Sequence, residues 1–298
     1  MSRDSRTETR TRKKAHLLKL PQTLSKLPLA LSDPTIDMAE DPPLAITPDA
    51  ERPDASIDIT HSLEYWNSVS PDVNGMLGGF PQTSRIDLQG SSNFLTKLRR
   101  GKSQASKEPL PPLERVADCG AGIGRITKGL LLGVSKKVDV VEPVKKFTDE
   151  LVQSLGNGEY AGDGEGKDGK GQVGQVINLG LQDWIPEPGA YDVIWNQWCV
   201  GHLTDAQLVV YLRRCSEGLK KAAEGDATSR SWVIVKENMS TDIHHKDIYD
   251  DEDSSVTRSD KKFRALFQEA GLKIVATEQQ RGMPRELFPV RMYALRPE

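Results

Sequence analysis

Cysteine is scarce in this chain. Its three residues among 298, Cys119, Cys199 and Cys215, are odd in number and far apart, with no C-x-x-C pair and no metal-ligand spacing among the five histidines. A disulfide framework and a zinc module are excluded, no metal is expected, and a reducing compartment is the simpler inference. Long apolar runs are missing as well. Nothing approaches the roughly 20 residues that span a bilayer, and no signal-peptide core follows the basic start. The chain therefore reads as soluble and intracellular, with no membrane partner. Charge of one sign is not in surplus either: 40 Lys and Arg stand against 43 Asp and Glu, a net charge of −3. Nucleic acid is accordingly not required as a general partner.

A hydrophobic content of 37% over this length can bury one large core. Residues 1–59 stand apart from it. A basic arm containing "RTRKK" gives way to an acidic, Pro-rich stretch with Asp37, Glu40, Asp41, Asp49 and Glu51, so 1–59 reads as a disordered extension with opposite-sign blocks. The arm resembles either an organellar transit peptide or a nuclear signal, and its acidic interruptions weaken both readings. From residue 60 to 298 the pattern is that of one domain. Helix-like spacing occurs in "SLEYWNSV" and in "SSNFLTKLRR", where Ser91 or Ser92 is the expected N-cap, with the glycine-rich turn "PDVNGMLGGF" between them. Residues 101–114 and 156–172 read as flexible loops, the second because of its glycines. Between and after them, strands "RVADC", "KVDVVE", "GQVIN", "YDVIWN" and "SWVIVKEN" alternate with helices from about 123 and 144, at 205–219 and near 258–270. Two more strands, "LKIVATEQQ" and "PVRMYALR", close the chain. Such alternation predicts an α/β, doubly wound, largely parallel sheet.

The turn after the first of these strands reads "DCGAGIGR". A dinucleotide fingerprint requires glycine where Arg125 stands. Gly120, Gly122 and Gly124 preceded by Asp118 instead resemble motif I of the class I S-adenosylmethionine-dependent methyltransferases, and Arg125 suits a carboxylate as bidentate partner. Glu142 ends the next strand, where an acid can accept hydrogen bonds from both hydroxyls of a ribose. Any βαβ unit can end a strand in an acid, and a lone glycine motif is weak; the pair is the signal. In "NLGLQDW", the methyltransferase resemblance puts Leu181 and Gln182 against an adenine, whereas the segment by itself reads equally as a polar loop.

The segment "VIWNQWCVGHLTDAQL" falls at the carboxyl end of a strand, where open parallel sheets bind ligands. Thr204 and Gln207 form a capping box, with Leu203 and Leu208 placed for a hydrophobic staple. That leaves His202 unexplained by the helix start. It is either a proton acceptor or a loop histidine bonded to backbone.

Here the motifs "YWNSVSPDVNGMLGGF", "DCGAGIGRITKGLLL", "GLQDW", "YDVIWNQWCVGHLTD", "LRRC", "VKENM" and "DDEDSSVTRS" together resemble the protein N-terminal methyltransferase family over residues 61–298. The resemblance implies a seven-stranded class I methyltransferase (Rossmann-like) sheet with an N-terminal helical cap. It implies S-adenosylmethionine as cofactor, held by Gly120, Gly122, Arg125, Glu142, Leu181, Gln182 and Gln197. Its substrates are proteins exposing X-Pro-Lys or X-Pro-Arg after loss of the initiator methionine, ribosomal and chromatin proteins among them. Catalysis falls to Asp253, His202 and Asn238, and substrate binding to Trp66, Leu77, Trp198, Asp250, Ser255, Leu287 and Phe288. The family commonly has Asp where this chain has Glu142, and Tyr where it has Phe288. A cytoplasmic location, with the nucleus in addition, is expected. Two other readings stand beside this one: a methyltransferase acting on lysine or a small amine, and a non-catalytic cofactor-binding regulator.

Overall fold

The computed structural model describes residues 52–101, 108–156, 171–221 and 231–298. Seven strands form one sheet: β1 (Leu113–Cys119), β2 (Ser135–Val141), β3 (Gln172–Ile177), β4 (Val193–Gln197), β5 (Trp232–Asn238), β8 (Leu272–Gln279) and β9 (Val290–Pro297). Their order is β3-β2-β1-β4-β5-β9-β8. The first five run parallel, and β9 enters antiparallel between β5 and β8. β6 (Ile248–Asp250) and β7 (Ser255–Thr257) form a separate antiparallel hairpin. Among the described residues, seven α-helices accompany them: α1 (Ile59–Ser68), α2 (Val73–Met76), α3 (Ser84–Arg100), α4 (Arg125–Gly129), α5 (Lys145–Gly156), α6 (Asp205–Gly218) and α7 (Asp260–Glu269).

The central strands are buried on both faces, which is why they read as unbroken apolar runs rather than alternating ones. Alternate residues nonetheless join different cores. Ala117, Ile194, Val233 and Tyr293 pack with α6 and α7, whereas Val116, Trp195, Ile234 and Met292 pack with α3 and α4. The strand order reverses between β1 and β4, and the crevice at such a reversal is where an open α/β sheet takes its ligand.

Local chemistry sets the helix starts. At α6 the Thr204–Gln207 capping box is present in both directions, and Leu203 and Leu208 are buried in one core. α3 departs from expectation: it begins at Ser84, so neither Ser91 nor Ser92 is its cap. Ser91 lies mid-helix and buried, accepting a hydrogen bond from Lys236 Nζ at 2.9 Å. Of the polar residues at 84–92, Asp87 and Ser91 point into a buried ionic cluster. Residues 53–59, expected in the extension, are folded against the domain. Pro53–Ser56 form a 3-10 turn, Asp54 Oδ2 accepts from Asp205 N at 2.9 Å, and the Asp58 side chain caps α1. Residues 1–51 lie outside the described residues, as do 102–107 and 157–170 of the two expected loops. At the loop ends, Leu113 and Glu114 belong to β1 and Gln172 to β3. The β6–β7 hairpin, where the sequence suggested only an acidic run, was not foreseen.

Candidate active site

The ends of β1, β2 and β4 open on a cavity of about 360 Å³. Gly120 and Gly122 lie at φ +64° and +54°; a Cβ would stand 2.3 Å from Cys199 Cβ at the first and 2.6 Å from Met76 Sδ at the second. Glycine is therefore needed for both the turn and the close approach. Glu142 closes the far side, one carboxylate oxygen accepting from Gly122 N and the other from Val144 N, each at 2.9 Å. A carboxylate has about four lone-pair sites, so roughly two remain for a ligand. Burial pushes its carboxyl up to about 7. Asp118 holds the start of α4 through Thr127 N and Oγ1 at 2.9 and 2.5 Å, and burial raises it to about 6. Leu181 and Gln182 line the same cavity, their carbonyls gripped by Arg214 Nη2 at 3.1 and 2.9 Å.

Arg125 reaches this cavity from a buried cluster that sequence reasoning missed. Asp87, fully buried on α3, receives Arg125 Nη1 at 2.6 Å, Lys236 Nζ at 2.5 Å and Gln197 Nε2 at 2.9 Å on both oxygens. Burial alone would raise the Asp87 carboxyl, but the Arg125 and Lys236 charges outweigh it and hold it below its ordinary range. Gln197 also accepts from Trp195 Nε1 at 3.2 Å, so its amide is fixed while its body lines the cavity. Around Asp87 the local charge is one carboxylate against two cations. The excess positive charge favours an anionic group beside Arg125.

A second, small cavity of about 30 Å³ lies behind the first. Its wall includes Asn238, Asp250, Asp253, Ser255 and Phe288, and it shares Trp198 and His202 with the larger one. Trp198 adopts φ +53°, a left-handed conformation sterically disfavoured for a side chain with a Cβ. Its Nε1 is buried without a hydrogen-bond partner among the described residues. His202 is held on both nitrogens: Nε2 accepts from Trp66 Nε1 at 3.3 Å, and Nδ1 lies 2.9 Å from Ser62 Oγ. The Trp66 donor selects the tautomer carrying its proton on Nδ1. The hairpin is fastened to α1, with Asp58 N donating to Ser254 Oγ at 2.7 Å and His61 Nε2 3.1 Å from the carbonyls of Asp251 and Glu252. Tyr65 faces these acids: burial first, then Asp253, Glu252 and Asp250, push its phenol up to about 12.

A glycine-loop cavity joined through one tryptophan–histidine wall to a carboxylate-lined cavity is the layout of a two-substrate transferase. Comparison with known proteins decides which kind: residues 54–296 match the family described as AdoMet-dependent proline di-methyltransferase. The chain belongs to that family. It is 41% identical to the alpha N-terminal protein methyltransferase 1 of Schizosaccharomyces pombe, covering 79% of this chain and 94% of that protein. Identity is 40% to the N-terminal Xaa-Pro-Lys N-methyltransferase 1 of Mus musculus, covering 78% and 92%. The fold is similar to that of a SAM-dependent methyltransferase from Leishmania major, with a TM-score of 0.65, 34% identity and coverage of 80% and 82%.

The residues present fit the AdoMet of this methyltransferase family. The glycine cradle would be filled by Cβ atoms, Glu142 keeps acceptor capacity at the strand end, and the Asp87 cluster leaves Arg125 facing a site for a carboxylate. All seven residues expected on the cofactor side line the larger cavity. On the acceptor side the placement is mixed. Trp66 lines the larger cavity and reaches the acceptor through His202. Leu77 and Leu287 are buried and line neither cavity. For Leu77 the reason is α2, which places Met76 on the cavity and Leu77 at the buried helix end. Sequence reasoning gave no role to Asp87, Lys236, Glu237, Tyr65 and Ser62, although "VKENM" contains Lys236 and Glu237 and "YWNSV" begins at Tyr65, because each works through contacts to residues distant in the chain.

Proposed function

We propose that this methyltransferase transfers methyl groups to the α-amino group of proteins exposing X-Pro-Lys or X-Pro-Arg after removal of the initiator methionine. The observation that carries the proposal is the wall of Trp198 and His202, which belongs to both cavities. The cofactor supplies an electrophilic sulfonium methyl. The protein's task is to align a neutral amine with it and remove the amine's proton. A free α-amino group has a pKa of about 7.7–8.0, so neutralising it at pH 7 costs about 1.4 kcal/mol, against roughly 4.6 kcal/mol for a lysine side chain near 10.4. Mild bases therefore suffice for a terminus.

Asp253, buried on the acceptor wall, suits the role of proton acceptor and first attracts the ammonium form. His202 would have to release Trp66 before its lone pair could serve, which favours it as the group that orients the amine. Asp250 supplies a carboxylate for the basic third residue, and the flat face of Trp198 suits a proline ring. The Xaa-Pro-Lys in the names of the relatives supports this substrate class. Ribosomal and chromatin proteins with such termini would place the reaction in cytoplasm and nucleus.

The test is mass spectrometry of a Ser-Pro-Lys-Arg peptide incubated with enzyme and AdoMet, beside the same peptide acetylated at its N-terminus. Methylation of the free peptide alone is expected. Equal methylation of both would make the lysine side chain the acceptor and overturn the proposal, as would labelling of neither with cofactor bound.

A further inference from the structure

The turn that carries the shared wall is strained, and the structure shows what holds it. Trp198 N donates to the Lys236 carbonyl at 3.1 Å, and the next two amides turn instead to a side chain. Both reach one atom: Cys199 N at 2.8 Å and Val200 N at 3.0 Å donate to Glu237 Oε1. The carbonyls of the same turn meet a cation instead. Arg258, with no exposed surface, donates from Nη1 to the Val200 carbonyl at 3.1 Å and from Nη2 to the Leu203 carbonyl at 2.5 Å, while its Nε pairs with Asp205 Oδ1 at 2.8 Å. A buried carboxylate therefore gathers the amides and a buried guanidinium gathers the carbonyls of a single turn.

We infer that Glu237 and Arg258 form a two-sided clamp that fixes residues 198–203 between the two cavities, which makes Glu237 a positioning residue for methyl transfer. This rests on the reading of the site as one where an amine meets the cofactor across that turn. A buried charge is costly, and the turn already closes through backbone bonds of its own, Leu203 N to the Val200 carbonyl at 3.3 Å and His202 N to the Cys199 carbonyl at 3.5 Å. What the clamp adds is position. Gln197 and Cys199 line the cofactor side, and Trp198 and His202 line both sides, so any shift of the turn misaligns donor and acceptor together. Displacements of about 1 Å reduce rates by roughly a hundredfold in aligned two-substrate sites. Glu237 also borders the acceptor cavity, so the experiment has to separate position from charge.

Two variants do so. Glu237→Gln keeps an oxygen able to accept both amides but removes the charge; Glu237→Asp keeps the charge and withdraws it by one methylene. With folding checked by thermal melting, E237Q is expected to retain most of kcat, and E237D to lose at least tenfold in kcat with its AdoMet Kd within about threefold of wild type. The reverse pattern would assign Glu237 a direct charge role and overturn the clamp, as would two variants that are both wild-type or both inactive. The amide resonances of Cys199 and Val200 read the clamp without turnover: low-field and retained in E237Q, moved upfield in E237D. Wild-type enzyme with the free Ser-Pro-Lys-Arg peptide is run alongside, so a wrong substrate shows as an inactive wild type, while unmoved resonances in E237D would overturn the clamp itself.

Discussion

Replacing Asp87 by asparagine tests the ionic cluster under the cofactor cavity. The carboxylate receives Arg125, Lys236 and Gln197 with no exposed surface, so an isosteric amide leaves two buried cations without a counter-charge. Breaking a buried pair in this way costs about 3–5 kcal/mol. At roughly 2–4 °C per kcal/mol for a domain near this size, the melting temperature should fall by about 6–20 °C. The sign with pH follows from the depressed carboxyl. The stabilisation is fully present above the ordinary value of 3.8 and is lost only as pH falls through the lower folded value, so a melt at pH 7 reads the whole effect. Lys236→Met added to D87N removes one orphaned cation and should recover about 2 kcal/mol, a non-additivity expected of direct neighbours. Calorimetry should show weaker AdoMet binding in D87N, because Arg125 has lost its anchor. A D87N melt within about 2 °C of wild type, or a double variant whose losses simply add, would refute the cluster as described.

Three further outcomes are expected. Asp253→Asn should leave AdoMet affinity near wild type while turnover falls at least tenfold; unchanged turnover would remove Asp253 from the chemistry. With Glu142 raised from 4.5 to about 7, the folded enzyme holds that proton more tightly. Its contribution to stability is present below 4.5 and lost as pH rises to about 7, while AdoMet affinity should climb over the same window as the carboxylate becomes an acceptor. Calorimetry across that range would show a flat profile in Glu142→Gln, and an equally flat wild type would discard the acceptor role. Gly122→Ala places a Cβ 2.6 Å from Met76 Sδ at φ +54°. Met76 is flexible enough to move, but the left-handed backbone still costs roughly 1–2 kcal/mol. AdoMet should bind at least tenfold more weakly, with Met76→Ala restoring only part; full affinity in G122A would show that the turn tolerates a side chain.

The legibility of this molecule divides along chemical lines. Apolar runs such as "KVDVVE" and "YDVIWN" reveal buried parallel strands because their environment is apolar on both faces, and "DCGAGIGR" reveals its turn because left-handed backbone needs glycine. Thr204 and Gln207 announce α6 for the same local reason. Cofactor class, fold class and the neighbourhood of Trp198 and His202 were thus determined by the sequence. The start of α3 was not, since Asp87 and Ser91 look like surface residues until Lys236, 149 and 145 positions away, is folded against them. The hairpin after Ile248 was hidden in an acidic run whose strands are three residues each, too short for any period to show. Tertiary structure alone decided that one wall serves two cavities, that His202 is pinned by Trp66 and Ser62, and that Glu237 holds the amides and Arg258 the carbonyls of the turn. Those are relations between residues far apart in the chain, set by which strand ends meet, and no local pattern encodes them.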